Sequence, residues 1–390
     1  MEGRETVMTE LNNLPEPDSE NEPFPVEPRY HPIHKVPRKI YDFLASARLA
    51  MFLLVLLLIC CVSGVTIYRQ QAGNVIFNSL WFNAIMVLLV VNVACCFFGR
   101  IWGRRVTVVS FGMILFHLSF VMVFLGIVFN SLFYFRGTIR MTEGEVLPSG
   151  DPKSYDSVDM GRYFSFSRLK GDVSLIKMHT GYKVSGEDKR AAYEVSVGEE
   201  GSKSRGIIYI THKLTHGGID YFNDKEGYSL LVVLSNRQGK DLYGAYLPLQ
   251  SIPQDNRGYL YSTGYKEGST IKPDVIQYPQ PPEKPLFALQ VAYFPSKLQE
   301  RGGEAKFLTY ALDAHGMPES RPLAEGKAVI GAPFPVGEYL LNAREVRYWV
   351  GMSVRYEPGK PIVLASLWAG LAGMIITMFG RMMRRRVRPV

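Results

Sequence analysis

The sequence predicts an integral membrane protein: four transmembrane α-helices, with a large β-rich, sandwich-like extracytoplasmic domain between helices three and four. Three observations predict it. Apolar residues make up 47% of the 390-residue chain, but they are gathered in blocks rather than spread along it. The basic residues crowd beside those blocks, and the long stretch between the third and fourth block reads as short runs rich in Val, Ile, Tyr and Phe.

Residues 1–40 form a cytoplasmic tail, acidic and rich in Pro and Asn as far as Glu27, with no helical periodicity, and the composition reads as disorder. Apolar segments then follow at 49–68, 81–98 and 106–133, and a fourth at 361–379 lies within a helix placed at 358–380. Each is long enough to cross a hydrocarbon core of ~30 Å at ~1.5 Å per residue. The first begins too late and runs too long for a cleavable signal peptide.

The net charge of +8 raises the question of nucleic acid until its location is considered. Arg100, Arg104 and Arg105 lie between spans two and three, and Arg381, Arg384, Arg385, Arg386 and Arg388 follow span four. These arginines equal the whole excess, and with Lys35, Arg38, Lys39 and Arg48 before span one they mark the cytoplasmic ends of the helices. Both termini are therefore inside, and residues 134–357 outside. The basic tail at 381–390 suits anionic lipid; nucleic acid is not a partner.

All four cysteines fall inside spans, Cys60 and Cys61 in the first, Cys95 and Cys96 in the second. The two pairs sit at different depths, which favours polarisable packing residues over a redox couple. The outer segment has no thiol, no disulfide framework and no CxxCH of its own.

Strands are expected at 191–197, 206–211, 228–235, 286–294 and 346–356, separated by turn signals such as SNRQGK and YEPGK. A proline-rich run at 272–285 is expected to divide this domain into two lobes, with its first and last strands joining the membrane helices directly. His212 and His216 share a spacing that would align two imidazoles on a helix, but in an extended strand they stand ~13 Å apart, too far for one ion. His179 and His315 have still less context, and P-loop, GxSxG and HExxH patterns are missing. No catalytic residue is assigned; the domain reads as a binding surface.

His117 is the only histidine within a span. An imidazole in hydrocarbon is costly and by default marks a functional interior site. On a helical wheel it shares a face with Ser110, Met113, Ile114, Phe120, Val121 and Phe124, while Gly112, Ser119 and Gly126 recur every seven residues on the other side. That small-residue stripe lets another helix approach closely. Asn92, at comparable depth in span two, offers the alternative of a histidine hydrogen-bonded for packing alone, and position and polarity leave both readings open.

Local patterns extend this reading. LASARLAMFLLVLLLICCVSGVTI, WFNAIMVLLVVNVACCFFGR with its Asn-x-x-Cys at Asn92 to Cys95, and GMILFHLSFVMVFLGIVFNSLFYFRGTIRMTEGE resemble the first three helices of the ResB (CcsB) family, and RYEPGKPIVLASLWAGLAGMIITMFGR resembles its final element. The resemblance implies a membrane subunit of System II cytochrome c biogenesis in the bacterial cytoplasmic (inner) membrane. It implies a ResC (CcsA)-type membrane partner, haem b bound in transit and shared with that partner, reduced CxxCH apocytochrome c as the client, and a thioredoxin-like thiol reductant nearby. His117 matches the family's transmembrane histidine and would be an axial haem iron ligand, its counterpart supplied by the partner. The chain would be a subunit of a haem lyase and no enzyme on its own. Where the family often carries Asn-x-Pro-Leu-x-Tyr-x-Gly, this chain reads THKLTHGGIDYF, which bears on contacts of the outer domain. Two other readings are a membrane-anchored chaperone without haem and a b-type electron-transfer subunit.

Overall fold

The computed structural model describes residues 38–101, 106–254, 258–267, 270–272, 274–296 and 298–386. The acidic tail, Arg104, Arg105 and Arg388 lie outside the described residues. The helices are α1 (Arg38–Leu44), α2 (Ala47–Ser63), α3 (Leu80–Ile101), α4 (Val108–Phe133) and α5 (Lys360–Arg386). Among the described residues four helical segments are long and apolar enough to cross a membrane: Ala47–Tyr68, Leu80–Phe97, Val108–Phe133 and Lys360–Met383. They coincide with the four segments expected from hydropathy.

Two details differ from expectation. The last residues assigned to the tail, 38–40, belong to α1, which breaks from α2 at Ser46, an N-cap whose side chain accepts from the Arg48 N–H. The first span also changes geometry before its end, passing from α2 into a π-helical turn at Gly64–Tyr68. A Cβ at Gly64 would lie 2.7 Å from the Phe77 ring, so only glycine lets the chain fold back there.

The helices pack by two kinds of contact. Between α2 and α3 the filling is ordinary apolar interdigitation, with Leu53, Leu57, Cys60, Phe82, Met86 and Leu89 buried and Phe124 and Val128 of α4 against them. Between α4 and α5 it is backbone on backbone. Cβ atoms would lie 2.7 Å from the Gly373 carbonyl oxygen at Gly112, and 2.1 Å from the Gly126 carbonyl oxygen at Gly359. A Cβ at Gly370 would meet the Ser119 hydroxyl at 2.5 Å. The stripe seen in α4 thus faces a second glycine stripe in α5, and the order of these contacts makes the two helices antiparallel.

At one end the two helices pass straight into a sheet. Only Tyr134 separates α4 from the strand Phe135–Thr142, and only residues 357–359 separate the strand Tyr339–Tyr356 from α5. The two strands are antiparallel partners from Phe135↔Tyr356 to Thr142↔Trp349. Tyr339–Tyr356 and Ile219–Asn236, each of 18 residues, pair along their length and form the spine of a seven-stranded sheet.

A four-stranded sheet covers the half of this spine nearest the helices, and a six-stranded sheet covers the far half. The near core holds Phe135, Ile139, Val173, Tyr221 and Val354; the far core holds Leu230, Leu234, Tyr278, Phe287 and Leu341. Tyr228 packs against both. The two-lobed β-rich expectation therefore holds, and the five expected runs all contribute strands.

The proline-rich run does not divide the lobes, however. It carries the strand Ile276–Tyr278, paired to Phe287–Pro295 inside the far lobe, with the Tyr278 hydroxyl donating to the Val232 carbonyl oxygen. The division falls instead along the spine. At the seam Glu143 is buried and satisfied: its carboxylate accepts from the Met178 and Tyr348 N–H groups and pairs with Arg301 of the far lobe at 2.9 Å. A buried carboxylate is tolerated only with such partners.

Replacing Gly373 by Leu should force α4 and α5 apart, because the obstructing atoms are backbone and cannot rotate away. Overpacking of this kind typically costs about 1–3 kcal/mol. A lowered unfolding midpoint of the full chain in detergent micelles checks it, and an unchanged midpoint would mean that the close approach carries no stability.

Candidate functional site

His117 lies ~14 Å along α4 from its first residue and ~24 Å from its last, hence in the half of the helix remote from the β-rich region. The imidazole is held from three directions. Nδ1 lies 2.8 Å from the Met113 carbonyl oxygen one turn earlier. A carbonyl can only accept, so Nδ1 is the donor in this bond, and in the neutral ring the lone pair is then on Nε2. Phe97 of α3 stacks on the ring at 4.3 Å between centroids and 20° between planes, and Phe116 meets it edge-on at 5.5 Å.

Beside the ring a cleft of about 580 Å³ opens between α4 and α5. Met113, Phe116 and His117 form one wall, and Met374, Thr377, Met378, Arg381 and Met382 the other. The Thr377 hydroxyl donates to the Gly373 carbonyl oxygen and is thereby satisfied within α5. Besides Phe116, the lining is a set of polarisable thioethers, one imidazole and one guanidinium. Thioethers adapt to irregular apolar ligands, an unprotonated imidazole nitrogen binds metals, and a guanidinium recognises carboxylates. Among the described residues no group of three or more His, Cys, Asp or Glu could hold a metal ion.

The methionines and Arg381 carry a signal the sequence analysis did not use. Met374, Met378 and Met382 recur every four residues, and Thr377 and Arg381 follow the same spacing one position earlier. That marks one face of a helix; only the pairing of α4 with α5 brings it opposite His117.

Asn92 does not approach the histidine. Its side-chain amide donates to the Leu44 carbonyl oxygen at 2.6 Å and to the Ser46 carbonyl oxygen at 3.0 Å, pinning the break between α1 and α2. Equal depth along two helices says nothing about facing direction, and Phe97 occupies the place on α3 that Asn92 was considered for. Cys60 is buried in the α2–α3 core, Cys61 is exposed, the Cys96 sulfur lies 2.9 Å from the Ala45 carbonyl oxygen, and none of the four cysteines is in a disulfide. His212 and His216 diverge as expected, His212 stacking on Tyr209 and His216 bonding the Ser204 hydroxyl.

A family model described as the ResB-like family matches residues 103–388, which include α4, α5 and the β-rich region between them. No curated protein matches the chain.

Asn92→Leu should remove the side-chain donor to the Leu44 and Ser46 carbonyl oxygens, leaving Ser46 only its bond from the Ala50 N–H, and lower stability by about 1–3 kcal/mol. The loss should appear as earlier proteolytic release of residues 38–46 in detergent. Release at the wild-type rate would show that these two bonds do not hold α1.

Proposed function

Because this chain belongs to the ResB-like family, a family linked to cytochrome c biogenesis, we propose that it is the subunit of the System II maturation complex that holds haem b in transit between helices α4 and α5. The observation that carries this reading is the His117 imidazole, fixed by its own helix through Nδ1 at the edge of a methionine-lined cleft.

The residues fit the group. Haem b would supply an iron, for which imidazole is a usual ligand, and vinyl groups for thioether formation with a CxxCH apocytochrome. His117 would hold the iron through Nε2. Its Nδ1–H bond to the Met113 carbonyl oxygen orients the ring. Phe97 stacks on one face of it. Met374 and Met378 offer apolar walls, and Arg381 a counter-charge for propionate.

With one transmembrane imidazole in this chain, a ResC (CcsA)-type membrane protein would supply any further protein ligand, and the client would be a reduced CxxCH apocytochrome kept so by a thioredoxin-like reductant. The protein lies in the bacterial cytoplasmic membrane with both termini inside and the β-rich domain outside, the orientation that the arginine-rich ends of the helices favour.

His117→Ala should leave an apolar helix that still inserts, so protein should accumulate while haem in the complex and covalent cytochrome c both fall by at least tenfold. Millimolar imidazole should restore part of the haem absorbance by occupying the vacated space. Full haem content in the variant expressed with its partner would overturn the assignment.

Reporter fusions after Arg105 and after Val390 should report the cytoplasm, and a fusion at Gly239 the outside. An external C-terminus would sink the orientation.

A further inference from the structure

A second cleft, of about 390 Å³, lies at the opposite end of α4. Its height is fixed by register. Tyr356 in its wall pairs with Phe135, two residues beyond the last residue of α4, and with Ile219 in its floor. The loop that forms its rim is fastened to the same place. The Gly161 N–H donates to the Tyr134 carbonyl oxygen, and the Tyr163 N–H to the Leu132 carbonyl oxygen. A Cβ at Gly161 would lie 2.5 Å from the Leu132 carbonyl carbon, so the loop presses on the last turn of α4.

Charge and hydrophobicity in this loop are sorted as at a bilayer surface. Tyr163 is 60% exposed and its ring lies 5.9 Å from that of Phe133, the position of an interfacial aromatic. Arg168 donates from Nη1 to the Tyr356 hydroxyl at 3.0 Å with its guanidinium over that ring, which holds it in place and leaves its other donors available. Lys170 has no hydrogen-bond or ion-pair partner among the described residues and also lines the cleft. Glu199 is the one acidic residue in the lining, so the cations outnumber it. Beneath them Ile219 and Tyr221 are buried and apolar.

We propose that this cleft seats the phosphate of a membrane phospholipid, with Arg168 and Lys170 on the phosphate and the Ile219–Tyr221 floor under the glycerol. A phosphate monoester or free phosphate shares the anionic chemistry. The apolar floor, the exposed tyrosine and the level of the cleft at the end of a membrane-spanning helix select the lipid. The site is independent of His117 and of any haem.

The test uses the delipidated full chain in detergent, phosphatidylglycerol as the probe, and native mass spectrometry to count retained lipid. Each cation near a membrane surface strengthens anionic-lipid binding by about fivefold, so Arg168→Gln with Lys170→Gln should weaken retention by about thirtyfold. Arg168→Lys, which keeps the charge, should retain lipid and guards against a folding defect in the double variant. Lys306→Gln with Lys327→Gln, removing two charges from the far lobe, should change nothing. Inorganic phosphate in equal concentration should not displace the lipid. Equal retention by wild type and the Arg168/Lys170 variant, or full displacement by inorganic phosphate, would overturn the proposal.

Discussion

The rest of the structure depends on one continuous pairing: two antiparallel helices in backbone contact that become two antiparallel hydrogen-bonded strands. Gly126 and Gly359 touch just below the point where Phe135 and Tyr356 begin their ladder. The junction is also tied across, by the Gly359 N–H donating to the Asn130 side chain and by the Arg136–Glu357 ion pair at 2.9 Å. With one linking residue on one side and three on the other, neither pair can slide without moving its counterpart. A slip by one residue in the strands would turn every side chain of the ladder to the other face, and the glycines below would lose their partners. Sheet register and helix contact are therefore one constraint, and the cleft beside His117 takes its shape from it.

Much of this was legible in the sequence because it is written in one dimension. Apolar blocks report span-length helices, alternating Val, Ile and Tyr report strands, and a spacing of seven reports the stripe of Gly112, Ser119 and Gly126. The strand-to-helix junctions were also readable, since no loop-length segment separates FNSLFYFRGTIR or VRYEPGKPIV. What the sequence did not disclose is azimuth. Asn92 and His117 share a depth, but Asn92 turns to the α1–α2 break and Phe97 turns to the imidazole. The methionines of α5 were equally visible as a stripe and equally mute until α5 was placed beside α4.

The proline-rich run shows a different limit. Prolines between strands usually mark a boundary, but Tyr278 within this run is wholly buried and bonded to the spine, and that burial pulls the whole segment into the far core. Tertiary burial overrode a local signal. The seven residues of α1 were missed for a related reason: RKIYDFL is short and charged, and its helix stands on tertiary bonds such as that from the Tyr41 hydroxyl to the Cys95 carbonyl oxygen.

The paired 18-residue strands run unbroken from the helix ends into the far lobe, with register shifts at Asn223/Lys225 and at Leu231/Val232. At ~3.3 Å per residue they make a mast of roughly 55 Å. Because side chains alternate along a strand, its height changes in steps of two residues, ~7 Å at a time, wherever the pairing is regular, and a single extra residue is taken up only at a register shift. The stand-off between the far lobe and the helices is thus quantised away from those two shifts, and a change of height there takes matched pairs on both strands if both cores are to be kept.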